Sequence, residues 1–407
     1  MKRLTLLILF LIGCCLACGS GPAASPAPTP PVAQLALAPM MGWNAWPSFA
    51  INGADSDDLV RRTADGMVAN GLLAAGYQYV GLDDKWMSGR DANGNLVANA
   101  VKYPYGIPAL AAYVHSKGLK FGIYAEGGSP GCGGSVGSYG HEQQDAALFV
   151  SWGVDLVKWD VSCSMMISPQ DSARLVATVL NPAGVVLTTG TGDYDSAYWF
   201  AGVGAQSARI GPDMIFGAGI NTWDHMSSAF TSESLISQYG GPNHWLDLDC
   251  MMVGEGGLTD TEARTNMSLW AIQAAPLLLG LDVRTGAPSA ATLAILTNSD
   301  VIAVDQDRLG ITGVKVSSAA CGSSTCEVWA KPLDGGACAL ALFNRDTASH
   351  DITASFSSVA AAFPACGSGP YTTTRDLWTH AGLGTLATSY TATAVPGHGV
   401  AMIRVAP

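Results

Sequence analysis

The chain has 407 residues, of which 48% are hydrophobic and 13% charged, and its formal net charge at pH 7 is −12. A hydrophobic share of this size can fill a sizeable core, which excludes disorder as the main state. The acidic balance argues against a nucleic-acid partner, because neutralising phosphates requires a basic face. The length indicates about two domains.

The N-terminal part of the chain carries a predicted export segment. A basic start precedes the apolar run 6–12, which is typical of a bacterial signal peptide over residues 1–18 and is too short to span a bilayer. The Leu-Ile-Gly-Cys sequence that ends at Cys14 resembles a lipobox, in which this cysteine carries lipid. An ordinary cleaved signal is the alternative. Residues 19–34 are rich in Gly, Pro, Ala and Ser and are predicted to form a tether. We therefore expect an exported protein that is secreted, periplasmic or anchored by lipid at the cell surface, with unknown oligomeric state.

Export places the remaining cysteines in an oxidising compartment, where pairing is favoured. Seven follow the export segment, so at least one has no partner within the chain: Cys132, Cys163, Cys250, Cys321, Cys326, Cys338 and Cys366. The last four allow three connectivities, and the short spacing favours Cys321 with Cys326 and Cys338 with Cys366. These seven include no CxxC pair and the chain has no HExxH motif, so we expect neither a bound metal nor a cofactor.

Short apolar runs alternate with longer helical patterns between residues 35 and 309. The predicted strands are 40–44, 77–84, 120–126, 155–160, 185–189, 208–213, 245–250 and 276–282. The helical patterns include 57–75, 107–116, 141–152 and 259–275, with Asp57 and Thr259 as N-caps. Eight such units predict an α/β fold, a (β/α)₈ TIM barrel. Residues 310–407 instead show short β-branched runs with Gly, Ser and Thr turns, which predicts a C-terminal antiparallel β-sandwich.

Acidic and aromatic residues mark the carboxyl ends of the predicted strands, where the active site of such a barrel lies. Lys158 and Asp160 should project the same way because strand side chains alternate. An ammonium beside a carboxylate favours the ionised form that a nucleophile needs. Asp213, with Arg209 upstream, offers a second carboxylate as the acid. Two carboxylates with aromatic walls predict glycoside hydrolysis, and the alternative is that each Asp caps the helix after its strand.

One rival motif is a GxSxG pattern at residues 133–137. A nucleophilic serine in this pattern requires a strand directly before it and a helix directly after it. Here it lies inside a glycine-rich loop, so a serine hydrolase is not expected.

Several long segments resemble glycoside hydrolase family 27. They occur in the family order, cover nearly all of residues 36–405, and comprise 40–46, 77–86, 120–124, 152–160, 275–280 and 301–307. The resemblance implies a (β/α)₈ barrel with a C-terminal β-sandwich and a retaining, exo-acting α-galactosidase. Such an enzyme removes terminal α-D-galactose from oligosaccharides or polysaccharides by double displacement.

The same resemblance implies roles for individual residues. Asp160 matches the nucleophile and Asp213 the acid/base. The positions that match sugar contacts are Trp43, Asp83, Asp84, Tyr124, Lys158, Arg209 and Asp249, of which Asp83 and Asp84 would hold the 4-hydroxyl and the 6-hydroxymethyl group. Cys132 and Cys163 match a disulfide beside the site.

The chain departs from the family pattern in ways that bear on specificity. Lys85 replaces the usual Cys after the paired aspartates, and the partner Cys is missing near Ile51. Cys250 replaces a usual Met. A segment that reads the 2-position of the sugar is replaced by Thr-Thr-Gly-Thr-Gly at 188–192, and Pro212 precedes Asp213.

These changes predict an open pocket around C2 of the sugar and leave alternatives. A same-family β-L-arabinopyranosidase, an α-N-acetylgalactosaminidase or an enzyme that releases isomaltose units would fit. A lipid-tethered sugar-binding protein without turnover and a structural surface lipoprotein are the non-enzymatic alternatives.

Overall fold

A computed structural model describes residues 34–214, 222–233 and 235–407. The predicted signal peptide, Cys14 and all but the last residue of the predicted tether lie outside the described residues. Within those ranges, no helix is long and apolar enough to cross a membrane.

The described part of the chain alternates strands and helices and then becomes rich in strands. The strands are β1 (Met41–Asn44), β2 (Tyr79–Gly81), β3 (Met87–Arg90), β4 (Leu96–Ala98), β5 (Lys120–Glu126), β6 (Leu156–Asp160), β7 (Val186–Gly190), β8 (Ser207–Arg209), β9 (Trp245–Asp247), β10 (Leu277–Leu279), β11 (Val314–Cys321), β12 (Ser324–Leu333), β13 (Ala337–Asn344), β14 (His350–Ser355), β15 (Thr373–Asp376), β16 (Ser389–Val395) and β17 (Val400–Ala406). The helices are α1 (Asp57–Ala69), α2 (Leu72–Ala75), α3 (Gly106–Ser116), α4 (Glu142–Ser151), α5 (Pro169–Leu180), α6 (Phe200–Val203), α7 (Thr222–Glu233), α8 (Asp260–Gln273), α9 (Ala290–Leu296), α10 (Ser299–Asp305) and α11 (Phe356–Ala362).

Eight parallel strands form the predicted barrel. Their order is β10-β1-β2-β5-β6-β7-β8-β9, and a parallel bridge from Met251, just after β9, to Leu279 of β10 brings the two ends of the sheet together. All eight predicted strand regions contain an observed strand. Several end earlier than predicted, and β8 stops at Arg209 instead of residue 213. Pro212 lacks the N–H that a further ladder bond would require. The antiparallel pair β3 and β4 was not predicted.

Helix boundaries follow local capping chemistry. The predicted helix 57–75 is divided into α1 and α2, because Gly71 adopts a φ of 77° between them. The predicted N-cap Asp57 is wrong: Ser56 caps α1 by accepting the N–H of Leu59, and Asp57 is the first residue of the helix. The predicted cap Thr259 is confirmed, since it forms a capping box with Glu262.

The C-terminal part is the predicted antiparallel β-sandwich. A five-stranded sheet in the order β11-β12-β13-β17-β15 accompanies the two-stranded sheet of β14 and β16. Its cysteines pair as the spacing suggested, Cys321 with Cys326 and Cys338 with Cys366. One core of buried apolar residues continues from the barrel into this sheet and includes Trp329 and Phe343. The sheet is therefore packed on the barrel.

Candidate active site

Strand β6 carries Asp160 into the centre of the barrel at its carboxyl end. The neighbouring Trp159 is fully buried on the other side of the strand and donates its indole N–H to Ser172 of α5. Asp160 Oδ1 accepts the backbone N–H of Ser162 at 3.2 Å. Burial raises the pKa of Asp160, while the charges of Lys158 and Arg209 act against this rise.

Lys158 pairs with Asp83 rather than with Asp160. Its Nζ lies 2.7 Å from Asp83 Oδ2, which also accepts a hydrogen bond from Asn44 Nδ2 at 2.8 Å. Burial would lower the pKa of Lys158, but Asp83 raises it and keeps the ammonium charged. The next residue, Asp84, is also buried, and burial raises its pKa. Asn44 was not among the predicted sugar contacts, although it ends strand β1 and its side chain reaches Asp83.

Arg209 is the second buried cation of the site. Its Nη2 lies 3.1 Å from Asp249 Oδ2 and 3.3 Å from Asp213 Oδ1. Asp249 also accepts the backbone N–H of Met214 at 2.6 Å, which ties down the segment that carries Asp213. Partial burial would raise the pKa of Asp213, but Arg209 and then Lys158 hold it below its ordinary value. Asp247 is also buried, and burial raises its pKa to about 6.

Two tryptophans near the end of β1 have different surroundings. Trp43, a predicted sugar contact, is only 1% exposed and donates its indole N–H to the carbonyl of Leu281. Trp46 lies three residues further on, in the loop after β1, and its Nε1 donates to Asp213 Oδ2 at 2.9 Å. A Trp-Asn-Ala-Trp spacing could have indicated this, because the second Trp falls beyond the strand end.

Tyr124 and the loop disulfide border Asp160 on the β5 side. The Tyr124 hydroxyl lies 3.5 Å from Asp160 Oδ2. Cys132, in the loop after β5, is bonded to Cys163, in the loop after β6. Together with Glu126, these sulfurs form the one cluster of potential metal donors found in the described ranges. The disulfide removes the thiolates that such a metal would need.

The Thr-Thr-Gly-Thr-Gly segment at 188–192, at the end of β7 and in the loop after it, borders a cavity of about 200 Å³ that both carboxylates line. Its lining residues on that side are small: Thr189, Gly190, Thr191, Gly192 and Pro212. Thr189 is 2% exposed, and its hydroxyl has no hydrogen-bond partner among the residues that the structure describes. A cavity lined by two carboxylates and a buried guanidinium suits a polar, uncharged ring such as a sugar.

Comparison with known proteins gives a consistent result. The sequence family described as alpha galactosidase A matches residues 38–203 and 216–307, and the alpha galactosidase C-terminal beta sandwich domain matches residues 323–405. An α-galactosidase from Cyamopsis tetragonoloba is 40% identical over 352 residues, which are 85% of this chain and 81% of that protein. Human alpha-galactosidase A is 35% identical over 332 residues, covering 76% and 75% of the two chains. The structure of an α-galactosidase from Saccharomyces cerevisiae with raffinose has a TM-score of 0.82 at 27% identity, covering 91% of this chain and 98% of that one.

A (β/α)₈ barrel with buried carboxylates and a polar cavity at its carboxyl face defines a glycoside hydrolase. The chain belongs to glycoside hydrolase family 27, the α-galactosidase family. The resemblance inferred from the sequence motifs is therefore confirmed.

Proposed function

We propose that this chain is a retaining, exo-acting α-galactosidase with Asp160 as the nucleophile and Asp213 as the acid/base. The observation that carries the proposal is that both carboxylates line one cavity together with Lys158 and Arg209. The names of the relatives support galactose as the sugar.

The proposed reaction proceeds in two displacements. Asp160 forms a bond to the anomeric carbon while the glycosidic bond breaks, and Asp213 gives its proton to the leaving oxygen. Water then attacks the glycosyl ester, Asp213 takes the proton of that water, and Asp160 leaves as a carboxylate. Two inversions at one carbon retain the anomeric configuration.

The charges around the site suit these steps. Lys158 and Arg209 favour the ionised form of Asp160, and Asp213 is about half exposed at the cavity, with its side chain at 49%. A sugar ring displaces water from Asp213, and the resulting desolvation raises its pKa towards the protonated form that an acid needs. The Asp83 and Asp84 carboxyls offer acceptors to the 4-hydroxyl and the 6-hydroxymethyl group, with Tyr124, Lys158, Arg209 and Asp249 as further sugar contacts.

Chemical rescue tests the two roles separately. We expect Asp160→Gly to lose at least about a thousandfold in kcat on aryl α-D-galactosides and to regain turnover with azide, with galactosyl azide of inverted configuration as the product. Asp213→Gly with azide should give the azide of retained configuration. The exposed pair of Asp58 and Arg62 supplies a control, and Asp58→Asn should leave kcat unchanged. An inverted azide from Asp213→Gly would reverse the assignment.

The open cavity beside Thr189 favours a second candidate, an enzyme that accepts a larger group at C2 or lacks the usual preference there. Initial rates on matched α-D-galactoside, β-L-arabinopyranoside, α-N-acetylgalactosaminide and α-D-glucoside decide between them. A dominant α-galactoside rate that Asp160→Asn abolishes supports the first candidate. Binding without turnover on all four would support the sugar-binding alternative.

We also propose the remaining organisation of the chain. Residues 35–309 form the catalytic barrel, residues 310–407 the C-terminal β-sandwich, and the N-terminal segment directs export with a lipid on Cys14. In a bacterial host, Cys14→Ala should release the protein from the membrane fraction, whereas a plainly cleaved signal leaves the distribution unchanged.

A further inference from the structure

Glu126 is a buried carboxyl beside the proposed nucleophile that the two displacements do not use. It ends strand β5, has no exposed surface, and lies in register opposite Asp160 of β6. The Tyr124 hydroxyl lies 3.3 Å from Glu126 Oε2 and 3.5 Å from Asp160 Oδ2. The two carboxyls therefore share one phenol.

Two carboxylates in one desolvated pocket repel each other, so one of them retains a proton at neutral pH. Asp160 is the better anion of the two, because the ammonium of Lys158 and the guanidinium of Arg209 both act on it. Of the two carboxyl groups, that of Glu126 therefore holds the proton.

The surroundings of Glu126 act on its pKa in both directions. The charged group that faces it from β6 is the carboxylate of Asp160, and the titratable group two residues away on β5 is Tyr124. The backbone N–H groups of Gly128, at 3.3 Å, and of Cys163 favour the ionised form. Burial, and then the charge of Asp160, outweigh these donors and raise the pKa of Glu126 to about 8.

We propose that Glu126 is a positioning residue whose protonated carboxyl donates to the Tyr124 oxygen and so directs the single Tyr124 hydrogen towards Asp160. A phenol has one hydrogen to donate and can accept another, so protonation of Glu126 fixes the direction of this chain of hydrogen bonds. Asp160 then stays ionised and oriented for attack. The proposal rests on the proposed function, because it takes Asp160 to be the nucleophile.

Loss of the proton from Glu126 reverses the arrangement. The Tyr124 hydrogen turns to the new carboxylate, Asp160 loses its donor, and a second negative charge faces the nucleophile. The rate of attack should therefore fall as the pH rises through the range in which Glu126 ionises.

The test is the pH dependence of kcat/KM on an aryl α-D-galactoside with a dinitrophenyl leaving group. Such a group departs without a proton, so ionisation of Asp213 does not mask the effect. For the wild type we expect a fall centred near pH 8. Glu126→Gln keeps an N–H donor to Tyr124 but cannot ionise, and the fall should disappear. Glu126→Ala has no donor and should lose at least about tenfold in kcat/KM below about pH 7, with no further fall near pH 8.

The outcomes separate this proposal from the proposed function. Asp58→Asn, on the exposed surface, should keep the wild-type profile. An unchanged fall near pH 8 in Glu126→Gln would overturn the role of Glu126 alone. Absence of turnover by the wild type at about pH 6 on every aryl α-D-galactoside would overturn both. If thermal melting shows Glu126→Ala to be unfolded, the Gln variant decides by itself.

Discussion

At the scale of single residues, Trp46 gives the site a feature that the paired carboxylates do not explain. Its indole N–H donates to Asp213 Oδ2, while Arg209 Nη2 donates to Asp213 Oδ1. Both contacts stabilise the ionised form of the proposed acid. The enzyme therefore holds its acid at a pKa that must rise when the substrate arrives.

This contact predicts the pH response of a Trp46→Phe variant. Removing the indole donor raises the pKa of Asp213, so the fall of kcat that follows ionisation of Asp213 in the enzyme–substrate complex should move to higher pH by roughly half a unit on a substrate with a poor leaving group. The absolute kcat/KM should drop as well, because the indole contacts Asp213, which lines the cavity. Profiles on methyl and dinitrophenyl α-galactosides measure this. An equal shift on both substrates would contradict a link through the acid.

Individual site residues differ in how far the sequence predicts them. Asp83, Lys158 and Asp160 follow from strand alternation, because a strand end fixes which side chains face the barrel centre. The contact of Trp46 with Asp213 does not, since it depends on the course of the loop after β1. The burial of Trp43 in the core was not predicted either, because strand alternation does not show how closely the neighbouring elements pack.

At the scale of elements, the loop between β1 and α1 delivers Trp46 and is held by polar contacts at two points. Lys85 Nζ donates to the carbonyl of Ile51 at 2.9 Å, and Ser48 donates to Glu255. Lys85 also lies 5.3 Å from the centre of the Trp46 ring. These contacts stand where the family resemblance implies a disulfide.

Restoring the covalent link should therefore stabilise the loop. We expect an Ile51→Cys, Lys85→Cys double variant to form a disulfide and to gain roughly 2 to 4 kcal/mol in free energy of unfolding from the restricted unfolded chain. Lys85→Met supplies the matched loss of the polar contact and should lower both stability and kcat/KM. Denaturant unfolding with and without reductant measures the gain. A double variant that is no more stable when oxidised would show that the two loops do not approach closely enough.

The order of elements was predictable where hydrophobic periodicity was strong, and the boundaries were not. Residues 120–126 were predicted as one strand and form one strand, because residues 121–125 are apolar or glycine and all are buried. The 57–75 pattern did not reveal the break at Gly71, because the apolar residues keep a helical spacing through residues whose backbone is not helical. The β3 and β4 strands, with four and three residues, are too short to stand out from a loop.

At the scale of the whole molecule, charged side chains are buried where the sandwich packs on the barrel. Lys331 of β12 is fully buried and donates to the carbonyls of Ala271 and Val304, in the last turns of α8 and α10. A cation at helix C-termini is favourable. Beside it, Asp305 is fully buried, and burial, only partly offset by Lys331, raises its pKa to about 7.

This buried acid predicts a stability that depends on pH. The folded pKa of Asp305 lies above its unfolded value, so its contribution is complete below about pH 4 and is lost as the pH rises through about 7. Asp305→Asn cannot ionise and should flatten the curve, with a difference of at most about 4 kcal/mol between the two ends. Urea unfolding from pH 4.5 to 8.5 measures it, at about half-unit steps. Parallel curves for the two proteins would contradict the assignment.

The contacts of Lys331 also bear on the order in which the chain can fold. The barrel is synthesised before the β-sandwich. The carbonyl groups at the ends of α8 and α10 therefore have no ammonium to accept from until Lys331 is synthesised. The sheet that carries Lys331 places β17 between β13 and β15, so it is completed only when residues 400–406 are available. A translating chain therefore passes through a long interval in which a nearly finished barrel exposes an apolar face. During that interval the exposed apolar face can associate with other unfolded chains.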